Sequence, residues 1–259
     1  MRILALGLTA VLGSFVNGWA QTPDPHTAMP ERPSVATHTG TIAPGWVEVE
    51  AGLEIDRYDD TSTSGLVSAA VKIGLRRGLQ LTVQTPLAKP AGATTGIGDV
   101  SVGLKWRIVD HAPVVGDFAI MPSFKFPSGS LDAGRGTDTA DASLLVMSSR
   151  QLGAVSLDIN AGITRRSGDG ADAPKQSTVW AVAAGGPVRG RLGWGAEVYG
   201  YPATSGPAGA DGIVAILAGP TFQVFDWLVL DAAFIAPMTG PQPRAFIVGF
   251  TYNVASLKR

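Results

Sequence analysis

From residue 46 onward, apolar and polar side chains alternate in about twelve stretches of roughly ten residues each, and period-two alternation predicts half-buried β-strands. The stretch 46–56 is the clearest. Val47, Val49, Ala51, Leu53 and Ile55 share one face, and Glu48, Glu50, Glu54 and Asp56 the other. Further strands are predicted at 66–75, 79–85, 99–108, 117–126, 140–149, 155–164, 177–185, 191–198, 213–218, 227–235 and 244–254. Contrast between the two faces is weaker in the second half. Pro122 falls inside the fifth stretch and predicts a bulge or local strain.

The connections carry a second pattern. Those at 76–78, 150–153 and 186–190 are short turns and those at 109–116 and 219–226 modest turns on the same side, whereas those at 58–64, 86–96, 127–138, 166–175, 201–211 and 236–243 are polar or Pro/Gly-rich loops, most of them longer. Short and long turns in alternation describe a meander whose two rims face different environments. An up-and-down transmembrane β-barrel satisfies both patterns, since hydrocarbon forces every backbone polar group to pair and a sheet must close. The expected fold is therefore all-β, an antiparallel barrel of about 12 strands (range about 10–14), with both ends on the periplasmic rim. Trp46, Trp106 and Trp227 fall near the periplasmic strand ends, and Tyr58, Tyr199 and Tyr201 near the outer ends, as interfacial aromatic girdles would. A secreted soluble β-sandwich binding module is the competing architecture.

The first residues precede this pattern. Met1-Arg2 is positive, 3–16 is apolar, and Gly18-Trp19-Ala20 supplies small residues for a peptidase, so 1–20 is expected to be a signal peptide cleaved before Gln21. It is short for a spanning helix. Residues 21–45, rich in Pro, Thr and Ala without periodicity, are expected to form a flexible periplasmic lead-in, with insertion into the lumen as a plug left open. The barrel domain is then 46–259. The chain has 0 Cys, which excludes disulfides, thiol catalysis and lipoprotein acylation. Only 16% of residues are charged and mean hydropathy is +0.20, yet no mature segment is apolar for long enough to cross as a helix, which suits a barrel that spreads its apolar surface over alternate positions. With a net charge of −1, nothing favours a nucleic-acid partner. Outer-membrane lipid, the barrel-assembly machinery and a small solute are the expected partners, and the bacterial outer membrane the expected location.

The polar faces should line a lumen. The candidate lining residues are Glu48, Glu50, Glu54, Lys72, Lys105, Arg107, Lys125, Asp158, Arg191, Glu197 and Asp231. Carboxylates on the first strand against cations on later strands would create a transverse field across a pore. The same charges could equally pair and fill a narrow lumen as structural packing.

Thr95-Gly96-Ile97-Gly98-Asp99-Val100-Ser101-Val102-Gly103-Leu104-Lys105-Trp106-Arg107, a Gly-x-Gly-Asp entering a strand that ends Gly-x-Lys-aromatic-Arg, resembles the bacterial outer-membrane family labelled "putative MetA-pathway of phenol degradation". Phe124-Lys125-Phe126-Pro127-Ser128-Gly129 and the Gly/Asp loop behind it resemble the same family. The resemblance implies an outer-membrane channel or transporter for small molecules, including hydrophobic or aromatic compounds. A non-conducting structural or adhesive barrel is the alternative. One departure is that the aromatic alternation stops at Tyr252, where such barrels often end on an aromatic residue.

An enzyme is not expected. His26 and His38 fall in the lead-in and His111 in a short turn, so no Ser–His pair is placed for nucleophilic catalysis. Gly96-x-Gly98 lacks the third glycine and the helix of a nucleotide fingerprint, and Asp169-Gly170-Ala171-Asp172 lacks the full calcium-loop pattern. No catalytic, cofactor-binding or metal-ligating residue is assigned.

Overall fold

The computed structural model describes residues 24–58 and 62–257; the predicted signal peptide lies outside the described residues. The strands are β1 (Trp46–Arg57), β2 (Thr63–Arg76), β3 (Leu79–Lys89), β4 (Gly96–Ile97), β5 (Val100–Ala112), β6 (Gly116–Phe126) and β7 (Asp141–Leu152). They continue with β8 (Val155–Arg166), β9 (Gln176–Arg189), β10 (Leu192–Tyr201), β11 (Ile213–Phe225), β12 (Leu228–Thr239) and β13 (Arg244–Ser256). β4 is a two-residue stub on the end of β3. The other twelve form one antiparallel meander, and β1 pairs with β13 to close it, so no sheet edge is left unpaired. The long strands run from 10 to 14 residues, enough to cross a hydrocarbon layer at a tilt. With an even number of them, the chain starts and finishes the barrel on the rim of the short turns.

Side-chain parity fixes the two surfaces. Leu53, Ile55, Leu104, Trp106, Ile108, Ile159, Ile163, Phe246 and Phe250 project outward and are exposed on the isolated chain, forming an apolar belt. Their sequence neighbours Gly52, Lys105, Asn160 and Thr251 point inward and are buried. The closed barrel sets aside the soluble sandwich, because the apolar side chains cover the outside of a single closed sheet.

Three details differ from the sequence-based expectation. β9 continues through Gly186 and Pro187 to Arg189, which shrinks the predicted 186–190 turn to 190–191. β11 likewise runs through the predicted 219–226 turn to Phe225. Gly219 is there because of close backbone approach, since a Cβ would stand 1.9 Å from the Ala232 carbonyl oxygen. Pro220, which has no N–H, falls where pairing with β12 lapses between Ala218 and Thr221. Tyr199, expected in an interfacial girdle, shares the parity of Glu197, points into the lumen and is 2% exposed. Trp46 and Trp227, expected in the opposite girdle, also take a partner from the lead-in, stacking on His26 at ring-centroid distances of 4.8 and 5.9 Å.

Residues 24–45, expected as a flexible lead-in, are hydrogen-bonded to the inner wall of the barrel from end to end. A Pro-rich segment cannot donate enough backbone hydrogen bonds to fold alone, but the wall supplies polar partners that would otherwise remain unsatisfied.

Candidate functional site in the barrel lumen

The lumen wall is uneven. On β9–β13 the inward positions Ala181, Leu217, Ala233, Ile235, Ala245 and Ile247 join Tyr199 in one buried apolar cluster. This explains the weak contrast in the second half of the sequence, where small apolar residues face the lumen while larger ones face outward. On β1–β8 most inward positions are polar, including Glu48, Glu50, Lys72, Gln80, Thr82, Lys105 and Asn160, with Ala70, Ala119 and Met147 among them.

The N-terminal segment fills the space between these walls. It enters at the short-turn rim, where His26 Nε2 lies 2.9 Å from the Asn253 carbonyl and Asn253 Nδ2 donates to the carbonyls of Pro25 and Thr27. The N–H of Met29 then donates to Glu48 Oε2 and that of Glu31 to Glu50 Oε1, each at 2.7 Å. Crossing the lumen, the segment places the Ser34 hydroxyl and the N–H groups of Val35 and Ala36 on the Glu197 carboxylate. Val35 and Ala36 pack on the apolar wall. The N–H of Thr37 meets Asn160 Oδ1 at 2.8 Å, and Asn160 Nδ2 returns a bond to the Thr37 carbonyl. The chain comes back past Ser149 and Gln80, and Gly74 gives way to the carbonyls of Ile42 and Ala43.

Two lysines pin this segment. Lys72, 0% exposed, has its ammonium 2.8 Å from Glu48, 2.7 Å from Glu50 and 3.7 Å from Glu31. Lys105, also 0% exposed, donates to the Glu31 carboxylate, to Thr37 Oγ1 and to the carbonyls of His38 and Gly40. All four of those partners belong to the N-terminal segment. Glu48 and Lys72 are direct cross-strand partners, so their charges neutralise locally rather than across the lumen. The predicted acidic wall facing a basic wall is replaced by paired charges on one side and an apolar surface on the other.

The remaining candidate residues are dispersed. Glu54 is half-buried towards the long-loop rim. Asp158 accepts from Ser149 Oγ at 2.5 Å, and Asp231 stands 3.7 Å from Arg32. Arg107 pairs with Asp110 and Asp117 of its own hairpin at the short-turn rim, and Arg191 is exposed there with Nη1 on the Val224 carbonyl. At the opposite rim Lys125 bridges Asp99 at 2.5 Å and Asp141 at 3.4 Å, and Arg166 extends the chain of charges to Asp141. Asp99 also accepts from the N–H groups of Gly129 and Thr137, which folds the loop at 127–140 inward. Burial opposes ionisation of Asp99, but the Lys125 hydrogen bond and these backbone donors outweigh it and hold the carboxyl below its ordinary range.

Sequence reasoning missed Glu31, Arg32 and Ser34. Their signal was present but faint: Glu31 and Arg32 form an adjacent charge pair between Pro30 and Pro33, in a segment with one other charged residue, Asp24. Among the described residues no group of three His, Asp or Glu side chains is placed to hold a metal ion. His111 lies at the short-turn rim beside Asp117.

The segment divides the lumen into two chambers. One, about 440 Å³, opens towards the short-turn rim and is bounded by Asp158, Trp194, Glu197, Thr221 and Gln223. The other, about 730 Å³, lies under the long loops against Glu50, Gln84, Ser101, Met121 and Lys125.

A closed twelve-stranded meander with an apolar belt and an occupied lumen is an outer-membrane β-barrel of the porin-like class. More particularly, the chain belongs to the family described as "Putative MetA-pathway of phenol degradation", whose model matches residues 31–234. The fold is similar to the crystal structure of the COG4313 outer membrane channel from Pseudomonas putida F1, with a TM-score of 0.66 and 11% identity, covering 83% of this chain and 97% of that one. It is also similar to the NanC porin (TM-score 0.55, 7% identity, 80% and 100% covered). The KdgM porin in complex with disordered oligogalacturonate gives a TM-score of 0.53 at 10% identity, with 80% and 99% covered. No curated protein matches the sequence.

Proposed function

We propose that this protein is an outer-membrane channel that passes small molecules, hydrophobic or aromatic ones among them, and whose resting state is closed by residues 24–45. The observation that carries this reading is the pair of chambers, one towards each rim, separated by a segment held mostly through side-chain contacts. A barrel meant only as a scaffold has no need of cavities on both sides of a septum. The apolar wall of β9–β13 supports the solute class, because undocking Val35 and Ala36 would uncover Leu217, Ile235 and Ile247 inside a water-filled lumen. The family membership and the likeness to outer-membrane channels agree with this reading.

The complete pairing of Lys72 and Lys105 favours the alternative of a non-conducting structural barrel, so the test must separate the two. Lys105→Met removes the cation that holds Glu31, Thr37, His38 and Gly40. Breaking a buried ion pair of this kind costs about 3–5 kcal/mol, enough to undock the segment for much of the time. In reconstituted liposomes Lys105→Met, or deletion of residues 24–44, should raise the flux of a small aromatic solute well above that of the unaltered protein. In the Lys105→Met background an oxidised cysteine pair at positions 37 and 160 should return the flux to that of the unaltered protein. Barrels that fold, shift on heating in a gel and still pass nothing after deletion would establish the structural reading instead.

A further inference from the structure

We propose that the side chain of Arg32 is the gate between the two chambers, seated in a niche that Gly52 and Gly249 form in the barrel wall. The proposal rests on the channel reading above and narrows the barrier from a segment to one residue.

Three observations meet here. First, of all the residues that line the chambers, Arg32 and Ser34 alone line both. The septum is therefore thinnest at these two side chains. Second, they are held very differently. The short Ser34 side chain sits on Glu197, which also takes the N–H groups of Val35 and Ala36, so it stays beside a docked backbone whichever way its hydroxyl turns. Among the described residues Arg32 forms one ion pair, with Asp231, whose Oδ2 lies 3.7 Å from Nε, beyond hydrogen-bonding distance, and its charge acts on the Glu54 carboxyl from farther away. Its Nε and Nη2 are buried without hydrogen-bond partners, as is Asp231 Oδ1. Third, the wall is cut to receive this guanidinium. Gly52 and Gly249 face each other across the β1–β13 seam. A Cβ on Gly52 would stand 1.7 Å from Arg32 Nη2, and one on Gly249 would stand 2.7 Å from Nε.

A shaped seat with little polar attachment suits a side chain that leaves and returns. Rotation about the side-chain torsions of Arg32 would bring its unsatisfied N–H groups into a chamber and hydrate them. It would also join the chambers, while Glu31 stays on Glu50 and Lys105 and the backbone of the segment remains docked. At Arg32 itself the closed position thus depends more on steric fit at the two glycines than on hydrogen bonding, while the ion pairs of Lys105 keep the backbone of the segment docked.

The test uses the full-length protein in planar bilayers, with correct folding verified by heat-modifiable migration. Arg32→Ala is expected to raise conductance several-fold and to remove discrete closures. Gly52→Ala, which forces the guanidinium off its seat, is expected to raise open probability with the arginine still present. In both, a single cysteine at Ala36, the chain having none of its own, should remain protected from a maleimide, showing that the segment has not left. Arg32→Gln serves in the same role if Arg32→Ala does not fold. Wild-type conductance in Arg32→Ala and Arg32→Gln, alongside high conductance in the 24–44 deletion, would overturn the gate and leave the channel reading standing. No conductance in any of them, the deletion included, would remove the channel reading itself and the gate with it.

Discussion

Lys105 and Arg32 show how differently two cations can serve one segment. Lys105 is buried without exposure and every acceptor it meets comes from the segment, so its desolvation is offset by a full set of oxygens. Arg32 has no such set and depends on shape. Asp99 belongs with Lys105, a half-buried charge well supplied with partners, and it ties the loop at 127–140 to the rim. Because its folded-state pKa lies below its ordinary value of 3.8, its contribution is complete above that value and is lost as pH falls through the folded pKa. Protection of residues 127–139 from hydrogen exchange, taken relative to the unstructured rate at each pH, should therefore be high at neutral pH and be lost only in strong acid. Asp99→Asn should show low protection at neutral pH and little further change on acidification, and wild-type protection that does not vary with pH would refute the assignment.

At the scale of elements, β10 decides where the segment crosses. Glu197 is its inward carboxylate, and it satisfies three donors from residues 34–36 that no other group reaches. Glu197→Ala leaves the buried N–H groups of Val35 and Ala36 without an acceptor, at about 1–3 kcal/mol each. Exchange at residues 34–37 should rise while exchange in the strand ladders stays as slow as before, since the ladder bonds of β10 are backbone bonds to β9 and β11. Uniformly faster exchange would mean that Glu197 supports the barrel rather than the segment. The same scale explains Pro220 and Gly219. Each reads as a turn residue, yet β11 accommodates both by dropping two rungs of its ladder with β12.

For the molecule as a whole, the governing quantity is which solvent each face meets. Phe250 lies at the middle of β13 and points outward, whereas Phe246 lies near its long-loop end. Phe250→Arg should destabilise the folded barrel in lipid vesicles by about 2–4 kcal/mol, and Phe246→Arg by only about 0–1, because the cost of a charge falls towards the interface. Denaturant titration of the reconstituted protein measures both. Equal small effects would show that this face does not meet acyl chains.

Strand number, parity and the alternation of short and long connections were legible along the chain, because alternate exposure to apolar and aqueous surroundings is a local property of each strand and leaves a period of two. The outward faces of β1, β5, β8 and β13 fall where Leu53, Leu104, Ile159 and Phe246 announce them. The fate of residues 24–45 was not legible in this way. A segment without periodicity carries no sign of its surroundings, and whether it hangs free or fills a lumen depends on acceptors such as Glu48, Glu50, Glu197 and Asn160, which lie on three strands brought together only by closure of the sheet. The same holds for the apolar wall, since Ala181, Leu217, Ile235 and Ile247 are unremarkable in sequence and become a surface only when β9, β11, β12 and β13 lie side by side. Sequence alone thus determined the barrel and its outward face, which are set by local contrast. Tertiary structure decided what occupies the interior, which is set by contacts between residues far apart in the chain.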